Sequence, residues 1–431
     1  MKKKMISLFS CAGGLDWGFH KSNNYKLIIS NEINQSNLKT YTNHYNIPLL
    51  DISEYSNQFN VGICGDINKL DIHDSTDIIV GGPPCQDFSI LRGKNKRLGS
   101  QSNRGKLYKQ YLRILKKTSP TIFVFENVEG ILSANNRTTY KKLLKDFSDL
   151  NYSLIFNEIV NIADLGAPQS RKRLIIIGMK KDAIFDANNI QKTIYKYLSN
   201  DILKKYPLTP IEVFEGEVLT NLNKSYIETL QSYENCFEGI HNDFSEKWKV
   251  EFNKLSFNIK KDYIASNKII CSCKKEFKKA MNLHEKILKI LGYYKKDIDL
   301  QTFEDKTNIK SKTQNRIIER MNHIPPSYNY LAVKDTKWEV KGLMSNVYKR
   351  IHPLIPSPTV IAYGGGGTGG YHYKINRQGL TNRERARLQT FPDDYLFNGT
   401  IAEIRAQIGE AVPPIASYWI EKSITEILNN V

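Results

Sequence analysis

Short apolar runs that end abruptly in turn-forming or polar residues recur along the first part of the chain. Continuous apolar runs of this length, bounded by Gly and Pro, are typical of buried strands. The three clearest are Met5-Ile6-Ser7-Leu8-Phe9, Ile78-Ile79-Val80 and Phe123-Val124-Phe125. They alternate with helix-like segments as far as about residue 181, as in α/β proteins. The sequence therefore predicts an open α/β fold.

Two side chains of types that can act in catalysis, a thiol and a carboxyl group, follow these predicted strands. Cys85 comes directly after Gly81-Gly82-Pro83-Pro84, and Glu126 follows the run that ends at Phe125. Because ligands of open α/β folds bind at the carboxyl ends of the strands, we expect both side chains to face one pocket. A lone cysteine is more often a small buried residue in a loop, but the neighbouring motifs favour a nucleophile here.

Two further segments supply binding groups for the same pocket. Arg171 and Arg173 precede the apolar run Leu174-Ile175-Ile176-Ile177. Alternate residues of an extended segment point to the same side, so the two arginines can bind an anion or a carbonyl together. Near the amino terminus, the first apolar run leads through Ala12-Gly13-Gly14 into a helix-like segment. A strand, a Gly turn and a helix in this order let the backbone approach a nucleotide-like cofactor.

The order of these motifs, with Gly409-Glu410-Ala411-Val412-Pro413-Pro414 near the carboxyl terminus, resembles that of DNA (cytosine-5)-methyltransferases of bacterial restriction-modification systems. The resemblance extends over residues 5–178 and 350–418. It implies a Rossmann-like S-adenosylmethionine-dependent methyltransferase domain with a smaller target-recognition domain. We place the first at 1–181 plus 407–431 and the second at 182–406, where Thr381 to Pro392 predicts a short capped helix.

The chemistry of cytosine explains why such residues have to converge. Carbon 5 is a poor nucleophile until a thiolate adds to carbon 6, and the resemblance implies that Cys85 makes this adduct. The positive field of Arg171 and Arg173 favours the thiolate. A protonated Glu126 would stabilise the negative charge that builds on the ring. The resemblance also implies that Arg173 binds cytosine O2 and that Arg171 supports the carboxylate and a nearby phosphate.

The resemblance places S-adenosylmethionine across the first strand ends. Phe9 is expected to pack on the adenine, Glu32 to accept hydrogen bonds from the ribose, and Asp66 to bind the adenine amino group. The alternatives are a carboxylate at a helix N-terminus for Glu32 and an Asp that begins a helical turn for Asp66. The other expected cofactor residues belong to the same strand ends and the carboxyl-terminal motif: Ala12, Gly13, Gly14, Ile67, Pro84 and Ala411.

Two positions depart from the family pattern. Ile33 stands where an aromatic residue often follows the ribose-binding acid, which weakens the expected stacking on adenine. Glu410 replaces the usual Asn of the carboxyl-terminal motif, so the family's use of that side chain does not carry over.

Charge and loop composition favour double-stranded DNA as the partner. The formal net charge of +18, from 62 Lys and Arg against 44 Asp and Glu, suits a polyanion, although codon bias also produces Lys-rich chains. A cysteine in a cleft cannot reach a stacked cytosine, so the base has to flip out. The polar run between Ser89 and Lys106 predicts a lid over DNA. Candidate DNA contacts are Gln86, Ser89 and Arg97 around this lid. Two more, Thr368 and His372, lie in or just after the Gly-rich run at residues 364–370.

Composition also bears on compartment and metal content. No apolar stretch approaches the roughly 20 residues of a membrane span, and the amino terminus shows no secretory cleavage pattern, so we expect a cytoplasmic protein without membrane association. Six scattered cysteines, one of them needed as a thiol, indicate a reducing compartment. Cys271-Ser272-Cys273 with His284 lacks the paired spacing of zinc ligands, so no metal is expected.

The sequence favours a DNA substrate over two alternatives, a tRNA substrate and a regulator without catalytic activity. We expect a monomer that protects DNA from a restriction endonuclease of the same site. The run Thr368-Gly369-Gly370-Tyr371-His372 resembles that of family members that methylate GC-rich sites such as GGCC or GGNCC. A tRNA cytosine-5 methyltransferase shares the fold and the cysteine, but its relatives have little recognition insert, whereas residues 182–349 separate the motif blocks here. A catalytically silent DNA-bound regulator is disfavoured because Cys85, Glu126 and both arginines are present.

Overall fold

The computed structural model describes residues 2–84, 107–183, 186–219, 272–310, 314–340, 347–362, 370–374 and 379–430. The chain divides into two compact units. The first comprises Met1–Leu165, Arg171–Asn200 and Ala411–Val431, and the second comprises Gly166–Ser170 and Asp201–Glu410. Each unit is therefore built from segments that are far apart in the sequence.

Within its described residues, the first unit contains an eight-stranded sheet. The strands in chain order are β1 (Lys3–Leu8), β2 (Tyr25–Glu32), β3 (Leu49–Asp51), β4 (Val61–Cys64), β5 (Ile78–Gly81), β6 (Ile122–Val128), β7 (Tyr152–Asn161) and β8 (Lys172–Lys180). Their order across the sheet is β3-β4-β2-β1-β5-β6-β8-β7. Strand β8 pairs antiparallel with both β6 and β7, and the other neighbours are parallel. The carboxyl ends of β2, β4, β1, β5 and β6 therefore meet at one edge.

Helices occur in both units. In the described parts of the chain they are α1 (Trp17–Ser22), α2 (Gln35–Tyr45), α3 (Tyr108–Thr118), α4 (Thr138–Asp149), α5 (Ala187–Leu198), α6 (Asp201–Lys205), α7 (Pro210–Glu215), α8 (Ser272–Ile290), α9 (Asn315–Asn322), α10 (Asn382–Leu388), α11 (Ile401–Glu410) and α12 (Pro414–Asn429). Helices α1 to α5 and α12 belong to the first unit, and α6 to α11 belong to the second. Among the helices so described, none is both long and apolar enough to cross a membrane.

The apolar runs form the buried strands that the sequence predicts. The side chains of Ile78-Ile79-Val80 in β5 and Phe123-Val124-Phe125 in β6 are fully buried. A parallel strand that is covered on both faces has to be apolar at every position, which explains the unbroken runs. Tyr111 of α3 packs among these strands and donates its hydroxyl to the Val124 carbonyl at 2.9 Å. The core that supports the sheet edge is thus continuous from strand to helix.

Packing sets the boundaries of the units. Helix α5 packs against β7 and α12, where Lys196 forms an ion pair with Glu426 and the Tyr195 ring lies 5.8 Å from the Phe156 ring. The first unit therefore includes α5 and continues to Asn200. Helix α11 packs against α10 in the second unit, and the chain returns to the first unit at Ala411. The domain boundaries at 181 and 407 stay predictions from the sequence.

A short capped helix organises part of the second unit. The Thr381 hydroxyl accepts a hydrogen bond from Glu384 N, and the Glu384 carboxylate accepts one from Thr381 N, which confirms the predicted capped start of α10. Arg387 on the same helix donates two hydrogen bonds to the Asp393 carboxylate and one to the Val213 carbonyl. A buried guanidinium with acceptors in several segments holds those segments together.

Candidate active site

The turn that precedes Cys85 carries Glu126 packed against it. A Cβ atom at Gly82 would lie 2.8 Å from Glu126 Oε2, so the carboxyl group packs directly on this glycine. The Asn127 side chain donates a hydrogen bond to the Pro83 carbonyl at 3.2 Å. Glu126 and Asn127, which follow the apolar run of β6, are therefore both in contact with the turn after β5.

Glu126 forms an ion pair with Arg173 in a largely buried setting. Arg173 Nε lies 3.0 Å from Glu126 Oε1, and the two side chains are 14% and 11% exposed. Burial raises the pKa of Glu126 above its ordinary value of 4.5, although the charges of Arg173 and Arg171 act in the opposite direction. The carboxyl group therefore takes up a proton more readily than an exposed glutamate does.

Arg171 immediately precedes β8 and is almost fully buried. Its Nη2 donates to the Ala411 carbonyl at 3.1 Å, and its backbone N donates to Asn161 Oδ1 at 3.0 Å. The resemblance assigns Arg173 to cytosine O2 and Arg171 to the carboxylate; in this structure Arg173 forms an ion pair with Glu126, and the charges of both arginines act to lower the pKa of that carboxyl group. Arg171 joins the carboxyl-terminal motif to the site.

Five predicted site residues lie outside the described residues. They are the nucleophile Cys85 and four candidate DNA contacts, Gln86, Ser89, Arg97 and Thr368. Pro84, a predicted cofactor residue, is described and is half-buried. The roles of these positions stay predictions.

The backbone of the predicted cofactor turn, between β1 and α1, follows an uncommon path. Phe9, Cys11 and Gly13 have φ angles of 55°, 48° and 86°, in the left-handed region. A Cβ atom at Gly14 would lie 2.1 Å from the Val412 carbonyl oxygen, so close packing against the carboxyl-terminal motif requires a glycine there. This conformation agrees with the expectation of a turn that brings backbone groups close to a ligand.

Two acidic side chains lie at the ends of β2 and β4. Glu32 Oε2 accepts a hydrogen bond from Cys11 N, and Glu32 Oε1 accepts one from Asn34 N, each at 2.9 Å. Asn34 caps helix α2, and Glu32 Oε1 bonds the backbone N of that cap, so the Glu32 carboxylate also lies beside the start of the helix. Asp66 caps the 3-10 turn Ile67–Lys69, using only its Oδ1 atom among the hydrogen bonds of the described residues.

An exposed apolar side chain lies next to these acids. Ile33 directly follows Glu32 and is 70% exposed, which is high for an isoleucine. A planar ring could cover this surface, while Glu32 and Asp66 supply acceptors for hydroxyl and amino groups. Three further predicted cofactor residues have buried side chains: Ala12, Ile67 and Ala411. The two acidic acceptors and the exposed apolar surface together fit an adenosyl group.

Two helix residues that the sequence pattern does not single out support the predicted cofactor region. Tyr45 of α2 donates its hydroxyl to the Gly13 carbonyl at 3.2 Å, and its ring stacks on His20 at 3.7 Å. Arg113 of α3 donates to the Ile67 carbonyl at 2.8 Å. Both residues occupy ordinary positions in amphipathic helices, so no local sequence signal marks them.

The candidate DNA contact His372 and the His284 residue downstream of Cys271-Ser272-Cys273 are both buried in the second unit. His372 is 1% exposed, and its ring stacks on Phe214 with 5.1 Å between ring centroids. In this conformation it supports the chain after the Gly-rich run instead of presenting a surface to DNA. His284 places one ring nitrogen 2.9 Å from Glu212 Oε1 and the other 3.0 Å from the Tyr206 carbonyl, so both nitrogens are engaged.

The sheet order, the glycine turn and the acids at the strand ends define a Rossmann-like methyltransferase. Among solved structures, a prophage-encoded DNA modification methyltransferase of E. coli matches 99% of this chain and 100% of its own, with a TM-score of 0.58 and 20% identity. The Dnmt2 methyltransferase of S. pombe matches 100% of both chains, with a TM-score of 0.52 and 12% identity. At these identities the likeness shows the fold alone.

Sequence comparisons define the family. The family model for C-5 cytosine-specific DNA methylases matches residues 3–426. The DNA (cytosine-5-)-methyltransferase M.ApeKI of Aeropyrum pernix is 42% identical over 99% of both chains. The type II methyltransferase M.NgoFVII of Neisseria gonorrhoeae is 32% identical over 100% of this chain and 88% of its own. The chain therefore belongs to the C-5 cytosine-specific DNA methylase family, and it is a DNA (cytosine-5)-methyltransferase of the type II restriction-modification kind.

Proposed function

We propose that this enzyme transfers a methyl group from S-adenosylmethionine to carbon 5 of a cytosine flipped out of double-stranded DNA, through a transient covalent bond to Cys85. The observation that carries the proposal is the buried Glu126–Arg173 ion pair, packed on the turn that leads to Cys85. A thiol, a carboxyl group that protonates readily and a guanidinium at one sheet edge are the groups that addition to a cytosine ring requires.

Each of these residues has a defined step. The Cys85 thiolate forms a bond to carbon 6, and the electrons of the 5,6 double bond move toward N3 and O2. Protonated Glu126 donates a hydrogen bond at N3, and Arg173 donates at O2, which stabilises the developing charge. S-adenosylmethionine, when bound, supplies an electrophilic methyl group to carbon 5. Loss of the carbon 5 proton to a solvent base restores the double bond and expels the Cys85 thiolate.

We place the cofactor at the carboxyl ends of β1, β2 and β4. Glu32 is positioned to accept hydrogen bonds from ribose hydroxyls, and Asp66 Oδ2 to accept one from the adenine amino group. Phe9 and Ile33 offer apolar surface for the adenine ring, and the backbone of the Gly13 turn meets the methionine portion. The exposure of Ile33 and the unused Oδ2 of Asp66 among the described contacts support this placement.

We further propose that the enzyme protects its host DNA beside an endonuclease that cuts the same site. The type II methyltransferase names of its relatives support this pairing. The net charge of +18 supports contacts with DNA phosphates, for which Gln86, Ser89, Arg97 and Thr368 remain the candidates. Because His372 is buried, we assign it to supporting the recognition region.

The proposal is tested by trapping the covalent intermediate. Sequencing of methylated bases in plasmid DNA exposed to the enzyme first identifies the site. A duplex with 5-fluorocytosine at that site should then become covalently attached when S-adenosylmethionine is added, since fluorine cannot leave carbon 5 as the proton does. Gel electrophoresis under denaturing conditions detects the adduct.

Cys85→Ser should abolish this adduct, and Cys236→Ser, at a cysteine with no predicted role, is the thiol control that should retain it. Failure of the unaltered enzyme to form the adduct, or its persistence in Cys85→Ser, would refute the mechanism. Methylation of tRNA in place of DNA in the same assay would favour the tRNA alternative.

A further inference from the structure

Arg113 connects helix α3 to the turn at the end of β4. Its Nη2 donates to the Ile67 carbonyl at 2.8 Å and to the Leu70 carbonyl at 2.9 Å. Its Nε donates to Gln110 Oε1 at 2.7 Å, one helical turn earlier, which orients the guanidinium plane. One half-buried side chain therefore holds both ends of the Ile67–Lys69 turn.

This turn has little internal support. It is a 3-10 helix of three residues, closed by the backbone hydrogen bonds Lys69 N to Asp66 O at 2.9 Å and Leu70 N to Ile67 O at 3.1 Å. Hydrogen bonds in 3-10 turns have poorer geometry than those in α-helices, and carbonyls at a helix end need outside partners. Bonds from a charged donor are about twice as strong as neutral ones, so Arg113 is a substantial anchor.

We propose that Arg113 is a positioning residue for adenine recognition. It acts through the turn and not by touching the cofactor: by holding the Ile67 and Leu70 carbonyls to α3, it sets where Asp66 Oδ2 meets the adenine amino group. Ile67 is buried in the core and Asp66 Oδ1 is used to cap the turn, so the carboxylate moves with the turn as one piece. This inference rests on the cofactor site proposed above.

The test compares two ligands that differ at the edge of the purine that Asp66 is proposed to bind. S-adenosylhomocysteine carries the amino group at carbon 6, and S-inosylhomocysteine carries a carbonyl oxygen there and a proton on the neighbouring N1. We expect the unaltered enzyme to prefer the first. Arg113→Met should weaken binding of S-adenosylhomocysteine by about tenfold and bring the ratio of the two dissociation constants close to one, because one lost hydrogen bond to a charged group corresponds to about that factor. Isothermal titration calorimetry measures both constants.

Kinetics supply a second readout. In Arg113→Met the KM for S-adenosylmethionine should rise by a similar factor, while kcat at saturating cofactor should change by less than about twofold, since the reacting groups are untouched. Lys117→Met is the matched control. Lys117 lies on the same helix and binds the Asp71 carboxylate just beyond the turn, so its loss should leave both dissociation constants and their ratio unchanged.

Milder variants keep the test usable if Arg113→Met does not fold, which circular dichroism reports. Arg113→Lys retains the charge without the planar fork and should give an intermediate ratio. Gln110→Ala removes the group that orients Arg113 and should shift the ratio in the same direction.

The outcomes separate this inference from the proposed function. Unchanged affinities, or equal weakening of both ligands with an unchanged ratio, in the folded Arg113 variants would overturn the inference while the cofactor site stands. An unaltered enzyme that binds the two ligands equally would refute the role of Asp66, and this inference with it. An enzyme that binds no adenosyl ligand would refute the cofactor site itself.

Discussion

Glu126 shows how one side chain is prepared for catalysis by its immediate contacts. Burial at the end of β6 raises the pKa of its carboxyl group, and Arg173 and Arg171 limit that rise. An exposed glutamate is ionised at neutral pH and offers a cytosine ring only acceptors. A buried carboxyl group that protonates more readily can donate to N3 at the moment when charge develops there.

Glu126→Gln should lower kcat by about a hundredfold or more, because a general acid contributes a factor of about 10² to 10⁴ and an amide N–H is a far weaker acid at N3 than a carboxyl O–H. The unaltered enzyme should lose kcat/KM as pH rises through the raised pKa of Glu126, since only the protonated form donates. Initial rates of methyl transfer across a pH series measure both effects.

Glu129→Gln provides the control, because Glu129 lies in the turn that follows β6 and has no assigned role at the site. It should keep the rate and pH profile of the unaltered enzyme. A Glu126→Gln enzyme with normal kcat would contradict the role of Glu126 as acid.

Between secondary-structure elements, a buried histidine joins α8 to α7 in the second unit. The side chains of His284 and Glu212 are both fully buried, and the two ring nitrogens face a carboxylate oxygen and the Tyr206 carbonyl. Because both partners are acceptors, the ring satisfies them only when both nitrogens carry protons. Burial alone lowers the pKa of His284, but Glu212 and the two hydrogen bonds outweigh it, so the pKa is raised above 6.5.

This ion pair predicts a pH-dependent stability. A histidine whose pKa is raised on folding contributes stability that is fully present below its unfolded value of 6.5 and is lost as pH rises through the higher folded value. The free energy of unfolding should therefore fall over that interval. His284→Gln should be destabilised by about 2 kcal/mol at the acidic end, because Glu212 loses its charged partner while it keeps its hydrogen bonds from Thr209 and Leu219, and should lose this part of the pH dependence.

Urea titrations at a series of pH values measure the effect. His73→Gln is the control, since that histidine is 62% exposed and its ion pair with Asp71 is open to solvent. The same pH dependence in His284→Gln and in the unaltered protein would exclude this pair as its source.

For the protein as a whole, the excess of positive charge governs the encounter with DNA. With a formal net charge of +18, binding to a duplex should release counterions and weaken steeply with salt. We expect a loss of about a thousandfold in affinity between 50 and 200 mM salt if about six phosphates are neutralised. Fluorescence anisotropy with a labelled duplex measures it, with cofactor affinity as the internal comparison. An equal salt response of the two ligands would contradict phosphate contacts as the source of affinity.

Local patterns were sufficient to predict much of the framework. The unbroken apolar runs at 78–80 and 123–125 are buried strands, and the Thr381 cap begins a helix where expected. Each of these features depends on residues close together in the chain. A strand covered on both faces is apolar at successive positions, and a capping box joins a residue to the one three positions later. The order of the motifs was likewise enough to indicate the family, which the comparisons confirm.

Contacts between distant segments required the folded structure. That Arg173 forms an ion pair with Glu126, that Gly14 packs on Val412, and that Arg113 holds the Ile67–Lys69 turn are not encoded in any short pattern. Spacing, capping and turn chemistry act over a few neighbouring residues, so the amino-acid order alone specifies which strands and turns form and which reactive groups they carry. Which of those groups meet, and how deeply each is buried, depends on packing between residues tens to hundreds of positions apart, and that packing exists only in the folded chain.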